Sequence, residues 1–136
     1  MRSLSLAYGN SRQAKTWVNK TIQFDELKER LKVTIRTPES AEEYAKMNKV
    51  QRDLAKDHGG FVGGVLKGGR RKLDTVESRS MLSLDGDRIT KEFLEGFEAI
   101  FPYTSVLYTT HSSTEENPRA RIVCPLTRDV TPEEFV

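Results

Sequence analysis

Residues 80–87, SMLSLDGD, combine the apolar content of a buried strand with two carboxylates at its end. In a strand, residues i and i+2 point to the same face about 6.6–7 Å apart, so Asp85 and Asp87 are predicted to project together. Adjacent carboxylates repel each other unless a cation lies between them, and oxygen-only ligands suit Mg²⁺ or Mn²⁺. Asp-Gly-Asp is also common in turns, and the stretch alone fits a turn at least as well.

The bulk composition is that of one water-soluble domain. The chain has 136 residues, of which 36% are hydrophobic and 31% charged, with a mean hydropathy of -0.59. No apolar run approaches the ~18–20 residues that span a bilayer, so we expect no membrane partner. The single cysteine, Cys124, cannot form an internal disulfide, which favours a reducing cytoplasm. The net charge of +2 is too small to indicate a nucleic-acid partner by itself.

Sequence periodicity predicts helices that pack on a sheet. Apolar spacing and capping signals predict helices over residues 24–32, 38–58 and 91–100. In the second of these, Thr37 is the expected N-cap and Pro38 the first helical residue. The predicted strands are residues 61–66, 73–80, 80–87, 105–110 and 119–125.

A glycine-rich and basic segment lies before the Asp-Gly-Asp strand. Six of the nine glycines fall in residues 59–69, and four positive charges follow within six residues: Lys67, Arg70, Arg71 and Lys72. Gly64 and Gly69 have the spacing of a P-loop, but Arg70-Arg71 stands where Lys-Ser/Thr is required. We expect a hairpin with a mobile basic tip, which is either solvated charge or a surface that follows a nucleic-acid backbone.

Cationic residues recur near the C-terminus. The strand over residues 105–110 ends at His111, and alternation places Leu107 and Thr109 on the same face as that histidine. Arg119 and Arg121 are predicted to share one face of the next strand. Two arginines beside a strand that ends in histidine favour a phosphate clamp.

The last six residues are predicted to begin a helix. Thr131 and Glu134 have the spacing of a capping box, with Pro132 at the first helical position. Two further residues cannot complete an amphipathic helix. We therefore expect residues 1–136 to be a single domain at the N-terminus of a longer protein.

The ordered motifs resemble the archaeo-eukaryotic primase (primase-polymerase) superfamily. They are a strand ending in Asp-x-Asp, a helix, a strand ending in Thr-Thr-His, and Pro-Arg-x-Arg-Ile-Val-x-Pro-Leu. The chain looks most like the primase-like domains of phages and integrated elements that accompany virulence-associated E-type helicases.

The resemblance implies an α+β fold, an RRM-like palm with a mixed, mostly antiparallel sheet flanked by helices. It assigns Asp85 and Asp87 to Mg²⁺ or Mn²⁺ and Thr109 and His111 to a nucleoside triphosphate, with Arg119 and Arg121 on its phosphates. The basic residues 67–72 would bind a single-stranded DNA template. A helicase partner or fused helicase domain, phage or mobile-element DNA replication and the cytoplasm of a bacterial host are implied as well. The family's third carboxylate motif would follow residue 136, so we expect low or absent turnover from this chain alone.

Two alternatives remain open. The first is a non-catalytic nucleic-acid-binding module of a replication protein. The second is a metal-dependent nuclease, because two acids, a histidine and Mg²⁺ also activate water. The nuclease alternative would need a further acid or a lysine placed as a base, and no recognisable motif in the sequence supplies one.

Overall fold

The computed structural model describes residues 2–135, which form an α+β fold of antiparallel sheets flanked by helices. The fold class predicted from the sequence is confirmed, and an RRM-like palm is compatible with it. In chain order the strands and helices are β1 (Leu4–Gly9), β2 (Val18–Ile22), α1 (Phe24–Leu31), α2 (Ala41–Lys46), α3 (Lys49–Ala55), β3 (Gly60–Val62), β4 (Gly64–Leu66), β5 (Val76–Gly86), α4 (Lys91–Ile100), β6 (Val106–Thr109) and β7 (Ala120–Val130). Among the described helices, none is long and apolar enough to cross a membrane.

The strands form two sheets joined at one glycine. The first sheet has the order β2-β1-β3 and the second the order β4-β5-β7-β6. The single strand predicted over residues 61–66 is wrong, because Gly63 divides it between the two sheets. A Cβ at Gly64 would lie 2.0 Å from the backbone oxygen of Ser78, so only glycine allows β4 to approach β5 so closely.

The main core lies between both sheets and α1. Its buried residues come from β1, β2, α1, β5 and β7: Leu4, Leu6, Ile22, Phe24, Leu27, Met81 and Val123. The predicted helix over residues 24–32 is therefore confirmed, apart from one residue at its end. Ser80, which is fully buried, ties the sheets together by accepting a hydrogen bond from Ser5 N (3.0 Å) and donating one to Asp129 Oδ1 (2.6 Å).

The long helix predicted over residues 38–58 is wrong. The segment forms two helices instead. The first, α2, is capped by Ser40 rather than Thr37, and it ends at Met47, which is extended with ψ 148°. Asn48 begins α3 with a capping box, in which its side chain accepts from Gln51 N (2.9 Å). Every residue of α2 and α3 is at least partly exposed. Val50 and Leu54, which contribute to the apolar spacing of this segment, are 68% and 70% exposed. Apolar spacing thus indicated a buried face where this segment has none.

The strand that begins after Arg119 is longer than predicted. It continues through Pro125 to Val130, with an irregular register between Arg79 and Met81 of β5. Pro125 is tolerated there because β6 pairs with β7 only as far as Val123. The predicted capping box at Thr131 is confirmed: Thr131 N donates to Glu134 Oε1 (3.0 Å), and Glu134 N donates to Thr131 Oγ1 (3.4 Å).

The second sheet positions the candidate site. Strands β5 and β6 both pair antiparallel with β7, so they run parallel to each other on its two sides. Their C-terminal ends meet the beginning of β7 at one edge, where Gly86, Ala120 and Thr109 are in register. These three strands therefore lie side by side in one sheet. We call this the strand-end edge.

Candidate functional site at the strand-end edge

One row of side chains crosses three strands next to this edge. Asp85 of β5 lies opposite Arg121 of β7, which lies opposite Tyr108 of β6. The row two residues further into the sheet contains Val123, which is buried in the main core. Because alternate residues share a face, Asp85, Arg121 and Tyr108 lie at the rim of the core face.

Arg121 is ion-paired with one of the predicted metal ligands. Its Nε donates to Asp85 Oδ1 at 2.5 Å, and both side chains are partly exposed. Burial opposes the charge of Arg121, but its bond to Asp85 and the neighbouring Tyr108 outweigh burial and raise its pKa. Burial raises the pKa of Tyr108 as well. The row therefore contains a carboxylate, a guanidinium and a neutral phenol.

Asp87 is not placed by the strand. The predicted strand ends one residue earlier, at Gly86, and Asp87 lies in a bend. Alternation therefore puts Ser83 and Asp85 on one face but does not extend to Asp87, which corrects the prediction that the two acids share a strand face. Within residues 2–135, no three His, Cys, Asp or Glu side chains come together in a way that could hold a metal ion.

Thr109 lies at the same edge but on the other face of the sheet. It alternates with Tyr108 and lines an open cleft of about 420 Å³ between β6, α4 and the loop before β7. Lys91 and Leu94 of α4 line this cleft together with Pro118. The structure thus separates Thr109 from Arg121, although it brings both to one edge.

His111 follows β6 in a turn and contacts residues that the sequence did not point to. Its Nε2 lies 3.5 Å from Glu39 Oε1, and its ring packs edge-on against Tyr44 with centroids 4.9 Å apart. The Tyr44 hydroxyl also lies 2.8 Å from Ser112 Oγ. The pKa of Glu39 is lowered, chiefly because the Thr37 hydroxyl donates a hydrogen bond to its carboxylate, and His111 lowers it further.

Arg119 makes no ion pair with another described residue. Its backbone continues the pairing of β6 and β7, with Thr110 N donating to Arg119 O at 3.1 Å. Its Nε is buried and has no hydrogen-bond partner among the described residues. A buried donor in this state favours an additional acceptor, such as a phosphate oxygen.

The basic segment lies at the other end of the same strand. Residues 67–72 precede the first residue of β5, whereas Asp85 is close to its last. At about 3.3 Å per residue, some 30 Å of strand separates the two regions. The structure does not bring Lys67, Arg70, Arg71 and Lys72 together with the strand-end edge.

The basic segment is also more ordered than a mobile tip. Trp17, which is buried, donates its backbone N–H to Gly69 O at 2.6 Å. Arg71 stacks on the Trp17 ring at 5.1 Å and donates to Arg12 O at 2.7 Å. Thr75 Oγ1 contacts both Arg70 O and Lys72 O. The side chains of Lys67, Arg70 and Lys72 remain exposed.

Sequence reasoning missed Tyr108, Glu39 and Tyr44. Strand alternation carried a signal for Tyr108, because it lies one residue before Thr109 and faces the opposite side. Glu39 and Tyr44 lie about 70 residues before the histidine that they contact. Only the tertiary fold brings them to it.

The comparisons with known proteins identify the family. No significant match to a curated protein or to a solved structure was found. A model of the VapE N-terminal domain matches residues 1–136. That family is compatible with an association with phages or mobile elements and supports a replication-associated module. Since the match covers the whole sequence, the chain belongs to the VapE N-terminal domain family.

Proposed function

We propose that this chain is a primase-polymerase-like domain that binds a nucleoside triphosphate and single-stranded DNA during replication of a phage or mobile element. The observation that carries the proposal is the strand-end edge. Strands β5 and β7 bring Asp85 and Arg121 to one edge, and His111 and Arg119 lie in the segments just after β6 and just before β7, although the four residues are spread over 37 positions of the sequence. The domain would serve primer synthesis on a template strand that is exposed by a helicase acting beside it or fused to it.

Phosphate binding is the chemistry that these cations favour. Guanidinium groups bind phosphate oxygens through two parallel N–H bonds, and Arg119 has a buried Nε that needs an acceptor. Arg121 lies two residues after Arg119 in the sequence and is balanced by Asp85. A triphosphate could therefore bind Arg119 directly, whereas at Arg121 it would have to replace Asp85.

The carboxylates are compatible with a divalent cation only when phosphates complete the ligand set. Mg²⁺ commonly takes one or two protein carboxylates and obtains its other ligands from water and phosphate. Asp85 and Asp87 would supply the protein oxygens, and the bound cation would neutralise charge on the triphosphate. Asp85 must first leave Arg121. A triphosphate favours this exchange, because its oxygens satisfy the arginine while the cation satisfies the carboxylate.

Calorimetric titration with a nucleoside triphosphate, in Mg²⁺ and in chelator, tests the proposal. We expect metal to tighten triphosphate binding and triphosphate to tighten metal binding by the same factor. Asp87→Asn should abolish this coupling. His111→Ala should weaken triphosphate binding about tenfold, the size expected for loss of one charge-assisted hydrogen bond.

Asp74→Asn is the matched control, because Asp74 lies before the first residue of β5 and far from the strand-end edge. It should leave both affinities and their coupling unchanged. Equal triphosphate affinity in chelator and in Mg²⁺, unaffected by Asp87→Asn, would contradict a metal-dependent nucleotide site.

A non-catalytic nucleic-acid-binding module is the second candidate, favoured by the Arg121–Asp85 ion pair and the position of Asp87 outside the strand. In that case the arginines would bind the phosphates of single-stranded DNA directly. The DNA would then bind equally well in chelator, and triphosphate would compete with it without any requirement for metal.

A further inference from the structure

The contact between His111 and Glu39 has a consequence for ligand access. His111 has only 24% of its side chain exposed, and Glu39 only 9%. The carboxylate of Glu39 lies 3.5 Å from Nε2 and occupies one of the two ring nitrogens to which an anionic group could bind. Tyr44 covers the ring at an edge-on angle. The free surface of His111 is therefore small.

The residues that cover His111 belong to one weakly attached segment. Residues 37–44, which we call the acidic strap, contain Glu39, Glu42 and Glu43 and the first turn of α2. Every residue of α2 is at least partly exposed, and Val33 and Ile35 of the preceding linker are largely exposed. A segment that buries so little apolar surface opens locally at low free-energy cost.

The contacts that connect the strap to the sheet converge on two neighbouring residues. Glu39 and the Tyr44 ring meet His111, and the Tyr44 hydroxyl meets Ser112. The carboxylate is held in place within the strap, because Thr37 Oγ1 donates to Glu39 Oε1 at 2.5 Å. A ligand that replaces Glu39 at His111 therefore removes one of these contacts, while Arg52 Nε of α3 still donates to Tyr44 O at 3.2 Å.

We propose that the acidic strap is an autoinhibitory element: Glu39 occupies His111 in place of a phosphate group, and triphosphate binding displaces it. This inference rests on the proposed nucleotide site and adds its regulation. Glu39 and a phosphate carry the same sign of charge and compete for one partner. Binding of the triphosphate and docking of the strap are then negatively coupled.

The probe for this proposal is inorganic tripolyphosphate, which has no base or sugar and so isolates the phosphate contacts. Calorimetry of the full chain should show Glu39→Gln binding tripolyphosphate about fivefold more tightly than the wild type, at the lower end of typical coupling between linked sites. Glu42→Gln removes the same charge from an exposed position of the strap. It should change the affinity by less than about twofold, because charges in water are screened.

Three further measurements separate competition from a general loosening of the fold. The gain from Glu39→Gln should vanish in a His111→Ala background, since the two residues act on one another. Tyr44→Phe removes the bond to Ser112 but keeps the ring, and it should also tighten binding, by less than Glu39→Gln. Tripolyphosphate should accelerate amide hydrogen exchange in residues 41–46 of the wild-type chain.

The outcomes distinguish this inference from the proposed function. Binding to the wild type with no difference between Glu39→Gln and Glu42→Gln, or slower exchange in residues 41–46, would contradict autoinhibition by the strap. The proposed nucleotide site would be unaffected by this result. A gain from Glu39→Gln that survives His111→Ala would also overturn it. Absence of binding to both the wild type and Glu39→Gln would overturn the proposed function and the strap together.

Discussion

Arg121 lies between an acid and a phenol, and its partner determines what the strand-end edge can bind. The guanidinium is within 2.5 Å of Asp85 and opposite Tyr108. Such a pair, at partly exposed side chains, stabilises a fold by at most about 1 kcal/mol. Its greater consequence is chemical, because each partner keeps the other from an external ion.

Asp85→Asn should therefore act in opposite directions on phosphate and on metal. It frees Arg121, so tripolyphosphate binding in chelator should become tighter, by about 2- to 5-fold for loss of an exposed ion pair. It also removes a proposed metal oxygen, so Mg²⁺ should no longer improve binding. Calorimetry with and without chelator measures both effects. Weaker metal-free binding in Asp85→Asn than in Asp74→Asn would contradict the counter-ion role of Asp85.

Glu134 gives a pH-dependent prediction at the same scale. Its carboxylate accepts from Arg128 Nη2 at 2.5 Å and from Thr131 N at 3.0 Å, and these bonds lower its pKa from 4.5 to about 2. A carboxyl whose pKa is lower in the folded state stabilises the fold above its unfolded pKa. This contribution should be complete above pH 4.5 and be lost as the pH falls towards 2.

Glu134→Gln should consequently lower the free energy of unfolding at pH 7 but not near pH 2. Urea unfolding of both chains at several pH values measures the difference. Glu133→Gln, at the exposed neighbouring position, is the control and should leave the pH dependence of wild-type stability unchanged. A difference for Glu134→Gln that is constant over the whole range would contradict the pKa argument.

At the scale of elements, the glycine-rich segment serves the packing of two strands. It passes from the first sheet to the second at Gly63, and β4 then approaches β5 so closely that a Cβ at Gly64 would meet backbone at 2.0 Å. The turn after β4 contains Gly68 and Gly69, both with φ +66°, a conformation that side chains disfavour. The glycines thus have structural roles that do not require a phosphate-binding loop.

Gly64→Ala should destabilise the protein by about 1–3 kcal/mol or more, because backbone cannot yield as a flexible side chain does. Gly96→Ala is the control within the same chain. Gly96 lies inside α4 with open space around it, so alanine should stabilise the helix by up to about 1 kcal/mol. Chemical unfolding measures both changes. Equal effects of the two substitutions would contradict the close approach of β4 and β5.

At the scale of the whole molecule, β5 separates two cationic regions. The strand-end edge is at its C-terminal end, and the exposed side chains of Lys67, Arg70 and Lys72 precede its N-terminal end. With about 30 Å between them, one phosphate group cannot contact both. A single strand of nucleic acid can, because OB-fold domains that bind single strands contact about 4–16 nucleotides each.

Arg70→Ala with Lys72→Ala should therefore weaken single-stranded DNA binding without changing tripolyphosphate affinity. Each lost phosphate contact should reduce the slope of log affinity against log salt by about 0.7. Arg71 is left intact because it stacks on Trp17. Lys28→Ala with Lys32→Ala removes the same charge from α1 and the residue that caps its C-terminal end, and should have a smaller effect. Unchanged DNA affinity and salt slope in the Arg70→Ala, Lys72→Ala double variant would show that these side chains do not contact DNA.

Local sequence chemistry determined the elements with strong signals. Thr90 caps α4, Thr131 and Glu134 form the expected capping box, and α1 follows the apolar spacing of Phe24, Leu27 and Leu31. Local signals were insufficient over residues 38–58, where Asn48 offered a second cap inside a region of helical spacing. Propensity cannot decide between one helix and two when no core packs against the segment.

The sequence by itself determined the fold class, and it predicted which residues bind phosphate. The tertiary structure decided how those residues are partnered. Arg121 meets Asp85, His111 meets Glu39, Thr109 faces the opposite side, and the basic segment lies at the far end of β5. The reason is physical: strand alternation and helical spacing act over a few residues, whereas an ion pair between positions 39 and 111 depends on how distant segments pack.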